Sequence, residues 1–321
     1  MFKVLSKALV VAAVIIGLGF AATLPFYWHD LSEVNQVVAS NAKIIDSPYG
    51  AIEYLDAGAG QPVLVSHGTM GGYDHGLLMA RSVMGNHYRF IIPSRFGYLN
   101  SEMPSDASFE AQADSYAYLL EQLHIDHVVV QGMSAGGVPA IQFAIRHPEK
   151  TSGLLLMSTI AYAPKAEVEP QKLPIPVVVY KTILKSDYLF WALLKTSPSS
   201  VHNIFGASPE IKAGSNEEEL RLLDNISWTL LPVSKRYNGW ANDGQNIAKL
   251  SEMPLQNIKV PTLFFSALDD TIAPYSWSSY TAQKIPDSRL ITLQSGGHVL
   301  LGHIDEVREK SVQFIEKCFN S

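Results

Sequence analysis

A strand-like run leads directly into a glycine-rich turn in the stretch His127-Val-Val-Val-Gln-Gly132-Met-Ser134-Ala-Gly136. The β-branched residues before Gly132 favour a buried strand, and the residues from Ala135 to Arg146 favour a helix. Ser134 therefore lies at a strand-to-helix turn and matches the G-x-S-x-G nucleophile pattern. The flanking glycines suit a turn too tight for side chains, which leaves the serine strained and exposed near a helix N-terminus.

The predicted base for this serine is His298. A serine hydroxyl is a weak nucleophile unless a base takes its proton, and histidine titrates near neutral pH. The tripeptide Gly296-Gly-His298 follows the last predicted strand and precedes the closing helix, so the imidazole lies on a loop at the edge of the sheet. His303 is the alternative, but at the start of the terminal helix capping or packing is its simpler role.

Two aspartates compete to orient the histidine, because Asp269 and Asp270 both follow the strand-like run from Thr262. Asp270 is preferred, since the turn Thr-Ile-Ala-Pro274 after it directs its oxygens at the histidine while its neighbour faces solvent. The chain order Ser134, Asp270, His298 is the order expected for an α/β fold with such a nucleophile turn.

Backbone amides are predicted to stabilise an oxyanion beside the serine. Ala135, directly after Ser134, supplies one amide. The second is expected from the loop Ser66-His-Gly-Thr69-Met-Gly-Gly72, where Thr69 is the first choice and Met70 the second. His67 is expected to brace this loop without transferring a proton.

Short apolar runs alternate with amphipathic helical patterns along the chain, which predicts an α/β fold with a mainly parallel central sheet flanked by helices. Ser108 is expected to cap a helix from Phe109, and residues 304–319 are expected to form a closing helix. The predicted strands are 52–55, 63–66, 90–93, 127–131, 153–158, 262–266 and 289–293.

The alternation of apolar runs and amphipathic helical patterns stops between residues 161 and 255. In this range prolines recur, and long helical stretches lie between some of them. This segment is predicted to be an inserted helical cap, with 29–160 and 256–321 forming the core. The apolar run from Ile175 to Leu194 suits a lid over an apolar pocket, although ordinary packing onto the core also explains such side chains.

Residues 1–28 are predicted to be a transmembrane anchor or a cleaved signal peptide. Lys3 and Lys7 precede an uncharged stretch from Ala8 to Trp28, which as a helix would reach roughly 30 Å, about the thickness of the bilayer's hydrocarbon. Positive charge on the short amino-terminal side places the catalytic domain outside the cytoplasm. Both alternatives export the protein, and the uncleaved anchor would attach it to a membrane.

Composition excludes several function classes. The formal net charge is −6, and no basic run provides the attraction that drives phosphate-backbone binding, so nucleic acid is not an expected partner. Cys318 is the only cysteine, which rules out an intrachain disulfide and a cysteine-based metal site. Neither a nucleotide-binding fingerprint nor a metal-ligand cluster occurs in the sequence, so no cofactor and no metal are expected.

From Tyr49 to its end the chain resembles the bacterial α/β-hydrolase family. The nucleophile turn, His67-Gly-Thr69, Pro93-Ser-Arg-Phe-Gly-Tyr98 and Gly296-Gly-His-Val-Leu-Leu-Gly-His303 look like that family's elbow, oxyanion loop, fourth-strand loop and histidine loop. The resemblance implies an α/β-hydrolase fold and a serine triad under a helical cap. A serine at the elbow, where epoxide hydrolases and dehalogenases of this superfamily have aspartate, implies acyl chemistry.

The expected activity is hydrolysis of a carboxylic ester of a small to medium apolar substrate through an acyl-enzyme. Three other activities keep the same triad, namely a thioesterase, a C–C hydrolase and a haloperoxidase-like activity. A ligand-binding protein without turnover is the alternative from a different class, since one fold hosts many functions.

Overall fold

The β-branched run before Ser134 lies at the centre of the sheet in the computed structural model of the protein. All six residues of this strand, Val128–Met133, are buried, as expected for a strand covered on both faces. The structure describes residues 2–40, 42–162, 164 and 176–320, and the side chains of residues 2–18 and 40 lie outside the described part.

Eight strands of the described residues form one sheet, in the order β1-β2-β4-β3-β5-β6-β7-β8. The pairs β1–β2 and β2–β4 are antiparallel and the others are parallel, which confirms the predicted, mostly parallel sheet. The strands are β1 (Lys43–Ile45), β2 (Ile52–Ala57), β3 (Pro62–Ser66), β4 (Arg89–Pro93), β5 (Val128–Met133), β6 (Thr151–Met157), β7 (Thr262–Ala267) and β8 (Ser288–Leu293).

The predicted strands are all present, with small differences at their ends, and β1 is the strand that the sequence did not indicate. This edge strand has only three residues, of which two are exposed, so it carries no buried apolar run. The described α-helices are α1 (Phe2–Ser40), α2 (Tyr73–Met84), α3 (Phe109–Gln122), α4 (Gly137–Arg146), α5 (Val177–Ile183), α6 (Asp187–Thr196), α7 (Pro198–Ile204), α8 (Pro209–Ala213), α9 (Glu217–Trp228), α10 (Tyr237–Ile247), α11 (Tyr275–Lys284) and α12 (Ile304–Asn320).

Two core helices follow the predicted patterns closely. Ser108 caps α3 by accepting a hydrogen bond from the amide of Ala111, which satisfies one of the free amides of the first turn. In α12 the predicted apolar face is buried, and Cys318 packs so tightly on β6 that a Cβ added to Gly153 would lie 2.4 Å from its Sγ. The lone cysteine is thus a packed, buried thiol.

Helices α5 to α10 all lie between β6 and β7 in the chain, in the region predicted to be a cap. We use "cap segment" for its described residues 176–255, because residues 163 and 165–175 of the predicted insertion lie outside the described residues. Hydrogen bonds from Leu99 to the carbonyl of Lys235 and from Gly239 to the carbonyl of Gly97 join this segment to the loop after β4. The cap segment is therefore anchored next to the carboxyl ends of the strands.

The amino-terminal segment forms the continuous helix α1, so the predicted boundary at residue 28 falls inside a helix. The chain divides into two compact units, Met1–Ser40 and Asn41–Ser321. Among the described residues, no helix combines the length and the apolar character needed to cross a membrane. Part of the predicted anchor or signal, Ala8 to Leu18, has side chains outside the described residues, and export stays a prediction.

Candidate active site

Ser134, Asp270 and His298 all lie at the carboxyl edge of the sheet. Ser134 directly follows β5, Asp270 comes three residues after β7, and His298 is in the loop that follows β8. Since β5 to β8 are parallel, their carboxyl ends meet at one edge. The three residues are 4%, 4% and 5% exposed, so charges at this edge are weakly screened by water.

The backbone at Ser134 has the strain that the glycine pattern predicts, but the residue is buried, so the predicted exposure is wrong. Its φ of 52° lies in the left-handed region, which is uncommon for a residue with a side chain and recurs at functional sites. Residues Ser134–Gly136 form a short 3₁₀ turn that leads into α4. Gly136 is required here, because an added Cβ would lie 2.1 Å from the carbonyl oxygen of Ser66.

A hydrogen bond of 2.8 Å joins His298 Nδ1 to Asp270 Oδ2. The other carboxylate oxygen, Oδ1, accepts the amides of Ile272 and Ala273 at 2.8 and 3.0 Å, so the turn after Asp270 fixes the carboxylate. An ionised carboxylate can only accept, so Nδ1 is the donor in this bond, and in the neutral ring Nε2 then carries a lone pair. The histidine is therefore oriented as a base would need to be.

Asp269 is predicted to face solvent, but in the structure it accepts backbone hydrogen bonds. It is half-buried, and its two oxygens accept the amides of Gly296 and Gly297 at 3.3 and 2.9 Å. The adjacent aspartates thus both bind the histidine loop, Asp270 through the ring and Asp269 through the backbone. The amide of His298 also donates to the carbonyl of Phe205 in the cap segment, at 3.2 Å.

His303 lies in the position of its expected structural role. It is at the start of α12, with Nδ1 3.8 Å from a carboxylate oxygen of Glu306 one turn later. Ser134 Oγ makes no hydrogen bond to the ring of His298 in the described part of the chain. Bonds between nucleophile and base often tighten only when substrate is bound.

The loop predicted to hold an oxyanion passes directly over Ser134. We call residues His67 to Gly72 the oxyanion loop; at Gly68 an added Cβ would lie 3.2 Å from Ser134 Cβ. The amide of Met70, the second choice as donor, is directed at the hydroxyl of Tyr98 at 3.3 Å. That amide is therefore engaged, which favours the first choice, Thr69, as the donor beside the buried Ala135.

His67 braces the loop as a neutral ring. Its Nε2 accepts the backbone amide of Arg95 at 2.9 Å, so the ring proton is on Nδ1, which donates to the carbonyl of Gly68 at 2.7 Å. Burial, with the nearby charge of Arg95, holds the pKa of His67 well below its ordinary value. A ring fixed in this way cannot exchange protons with a substrate near neutral pH.

Sequence reasoning missed the residues that support the oxyanion loop from the cap segment. Arg95 and Tyr98, in the loop after β4, both contact Asp243 of α10, and Arg236 contacts the loop itself. The partners are up to 165 residues apart along the chain. No local pattern marks such pairs; only the arginine of the quoted stretch Pro93–Tyr98 hinted at a functional loop.

One group of side chains in the described residues has the spacing to hold a metal ion, namely His29, Asp30 and Glu33 on α1. Their ligand atoms lie within 4.8 Å of one another, and two of the three residues are exposed. Exposed acidic groups are common without a bound ion, and these residues belong to a different compact unit from Ser134.

Comparison with known proteins finds several hydrolases that are similar to this chain. A family model described as "alpha/beta hydrolase fold" matches residues 61–175, and one described as "TAP-like protein" matches residues 235–317. The chain is 28% identical to the uncharacterized hydrolase YcgS of Bacillus subtilis over 262 residues, which cover 78% of this chain and 89% of that protein.

Two further matches extend over most of the chain. Lipase 1 of Psychrobacter immobilis is 25% identical over 303 residues, covering 89% of this chain and 84% of the lipase. The structure of an α/β-hydrolase fold protein from Nakamurella multipartita superposes with a TM-score of 0.70 at 24% identity, covering 86% of this chain and 99% of that one. The latter likeness concerns the fold alone.

Proposed function

Because this chain belongs to the α/β-hydrolase fold family, we propose that it is a serine hydrolase that cleaves carboxylic esters through an acyl-enzyme. The observation that carries the proposal is the hydrogen bond of 2.8 Å between His298 Nδ1 and Asp270 Oδ2, at the sheet edge where Ser134 occupies a strained turn. An oriented base and a strained serine at one edge are the parts that nucleophilic acyl transfer needs.

The proposed reaction has two halves. Ser134 Oγ attacks the ester carbonyl while His298 Nε2 takes its proton, and the amides of Thr69 and Ala135 stabilise the negative oxygen of the tetrahedral intermediate. Collapse of the intermediate breaks the bond to the alcohol, which leaves with the proton from His298. Water then attacks the acyl-enzyme by the same route and releases the carboxylic acid, while Asp270 stabilises the imidazolium each time it forms.

The proposed substrate is a small to medium apolar ester. Support comes from the lipase and the other hydrolases among the relatives, and from the apolar sequence of the cap segment, whose side chains Phe190, Trp191 and Leu194 are buried in its packing. A panel of p-nitrophenyl esters of increasing acyl length, with matched thioesters, would rank the candidate substrates.

The test of the reaction class is ester hydrolysis by Ser134→Ala. We expect kcat to fall at least about a thousandfold, because the nucleophile is lost while the binding surfaces remain. The melting temperature of the variant, compared with that of the wild type, checks that the fold is intact. A variant that is folded and retains the wild-type kcat would contradict the proposal.

A further inference from the structure

The oxyanion loop is bound to the cap segment through Arg95, a side chain that is only 2% exposed. Its Nε donates to the carbonyl oxygen of His67 at 2.9 Å, and its two terminal nitrogens donate to the two oxygens of Asp243 at 2.5 and 2.6 Å. Burial disfavours the charged guanidinium, but the carboxylate of Asp243 outweighs it and raises the pKa of Arg95. The guanidinium of Arg95 thus keeps its charge in this buried position.

The hydroxyl of Tyr98 makes a second connection between the same elements. It donates to Asp243 Oδ2 at 2.6 Å, so its remaining contacts must be accepted ones: the amide of Met70 at 3.3 Å and the hydroxyl of Thr69 at 3.2 Å. Thr69 is the predicted amide donor to the oxyanion. One hydroxyl therefore holds both the side chain of that residue and the backbone that follows it.

The fit of α10 against Tyr98 leaves no free space. A Cβ added to Gly239 would lie 2.2 Å from Cδ2 of the Tyr98 ring, so a glycine is needed at this position of the helix. The amide of Gly239 donates to the carbonyl of Gly97 at 3.0 Å. The ring position therefore depends directly on where α10 lies.

A second buried ion pair holds the other end of the oxyanion loop. Arg236 of the cap segment is fully buried; it donates to the carbonyl oxygen of Gly71 at 2.7 Å and pairs with both oxygens of Asp74 in α2, at 3.0 and 2.6 Å. In each pair one partner belongs to the cap segment and the other to the core. Buried pairs of this kind contribute little net stability, because both charges lose their hydration.

We propose that Asp243 and Tyr98 are positioning residues for the oxyanion hole, so that the hole has its active geometry only while α10 is bound to the loop after β4. The inference rests on the proposed function and extends it: the cap segment sets the position of the amides that would stabilise the transition state. Neither residue contacts the reacting atoms in this scheme; each acts through Thr69 and its neighbours.

The test compares Tyr98→Phe with wild type and with Tyr88→Phe, a matched removal of a hydroxyl from a buried tyrosine remote from the site. We expect Tyr98→Phe to lower kcat for a p-nitrophenyl ester about tenfold or more, with KM changed less than about twofold, since displaced catalytic groups lose rate rather than ground-state binding. Tyr88→Phe should keep the wild-type kcat.

A second readout separates positioning from general packing. A trifluoromethyl ketone forms a tetrahedral oxyanion on the serine, so its inhibition constant is expected to rise in Tyr98→Phe by the same factor by which kcat/KM falls. If Tyr98→Phe does not fold, Gly239→Ala serves instead, because it displaces the ring while keeping the hydroxyl. A folded variant with wild-type kcat and inhibition constant would overturn the inference.

Failure of the proposed function would give a different result. If Ser134→Ala hydrolyses the ester as wild type does, the proposed function is wrong and the oxyanion hole has no role to test. If Ser134→Ala is inactive while Tyr98→Phe equals wild type in both constants, only the positioning inference is wrong.

Discussion

The two halves of the candidate active site are held in place by different kinds of contact. On the histidine side, Asp269 and Asp270 bind a loop that follows 27 or 28 residues later in the chain. On the oxyanion side, Arg95 and Asp243 are 148 residues apart, and the ion pair reaches from the core into the cap segment. The histidine side is thus held mainly by residues that follow neighbouring strands, with one bond from the amide of His298 to Phe205 of the cap segment, whereas the oxyanion side depends on buried charges of that segment.

This difference corresponds to two functions within the proposed site, proton transfer and stabilisation of negative charge. In the proposed reaction the histidine side transfers the proton, and it is fixed chiefly by Asp269 and Asp270, which follow a strand of the sheet. The oxyanion side provides stabilisation of developing charge and is fixed by groups that also contact the cap segment. Changes in the cap segment are therefore expected to affect rate mainly through the oxyanion side, to which the segment contributes Asp243 and Arg236.

The largest effect is expected from Asp270→Asn, which tests the histidine side. The amide oxygen can still accept the amides of Ile272 and Ala273, so the turn is kept, but its NH₂ group cannot accept the Nδ1 proton. The wrong tautomer should lower kcat by about four orders of magnitude. Steady-state ester hydrolysis at neutral pH measures this, and a loss of less than tenfold in a folded variant would argue against Asp270.

Asp269→Asn is expected to have a smaller effect and serves as the matched control for the neighbouring aspartate. A single carbonyl oxygen replaces a carboxylate that accepts the amides of Gly296 and Gly297, so the histidine loop loses one charge-assisted bond while the ring keeps its partner. We expect kcat to fall about tenfold. An effect as large as that of Asp270→Asn would mean that Asp269 orients the ring.

The smallest effect is expected in the pH dependence of stability, and it involves His75, next to Asp74 on the oxyanion side. His75 of α2 contacts Thr229 of the cap segment at 2.9 Å, and burial lowers its pKa to about 4, with Asp74 opposing and Arg236 assisting the shift. Below its ordinary pKa of 6.5 the unfolded chain takes up a proton that the folded protein refuses, so stability falls as pH decreases from 6.5 towards 4.

Urea unfolding at pH 6.5 and 5.5 measures this contribution. Between these two values the free energy of unfolding should fall by about 1 kcal/mol more in wild type than in His75→Gln. The neighbouring His67, whose pKa is lowered as well, acts in the same direction in both proteins. Equal losses in the two proteins would show that His75 is not held neutral.

The sheet and the histidine side could be predicted from the sequence because their signals are local. The run Val128 to Val130 is apolar and β-branched, and Gly136 follows Ser134 at the spacing that a tight turn demands. β1 was missed because it has only three residues, of which two are exposed, and so carries no buried apolar run. The role of Asp269 was missed because two adjacent aspartates differ only in the direction that the backbone gives them.

The oxyanion side could be predicted only in part. Glycines at positions 68, 71 and 72 identified the loop, but nothing near them identified the charges that hold it. Asp243 lies among the polar residues of α10 and looks like an ordinary residue of an exposed helix face, yet it is 2% exposed. A buried ion pair between a core loop and an insertion follows from tertiary packing, which no single stretch of sequence encodes.

The most direct test of the proposed serine chemistry is the labelling of the purified protein with a fluorophosphonate, followed by mass spectrometry of its peptides. Wild type is expected to carry one adduct, on Ser134, and folded Ser134→Ala to carry none, because only a serine activated by its base reacts. Heat-denatured wild type is the control and should remain unlabelled. A folded wild type without an adduct, or an adduct on another residue that persists in Ser134→Ala, would contradict the assignment of Ser134 as the nucleophile.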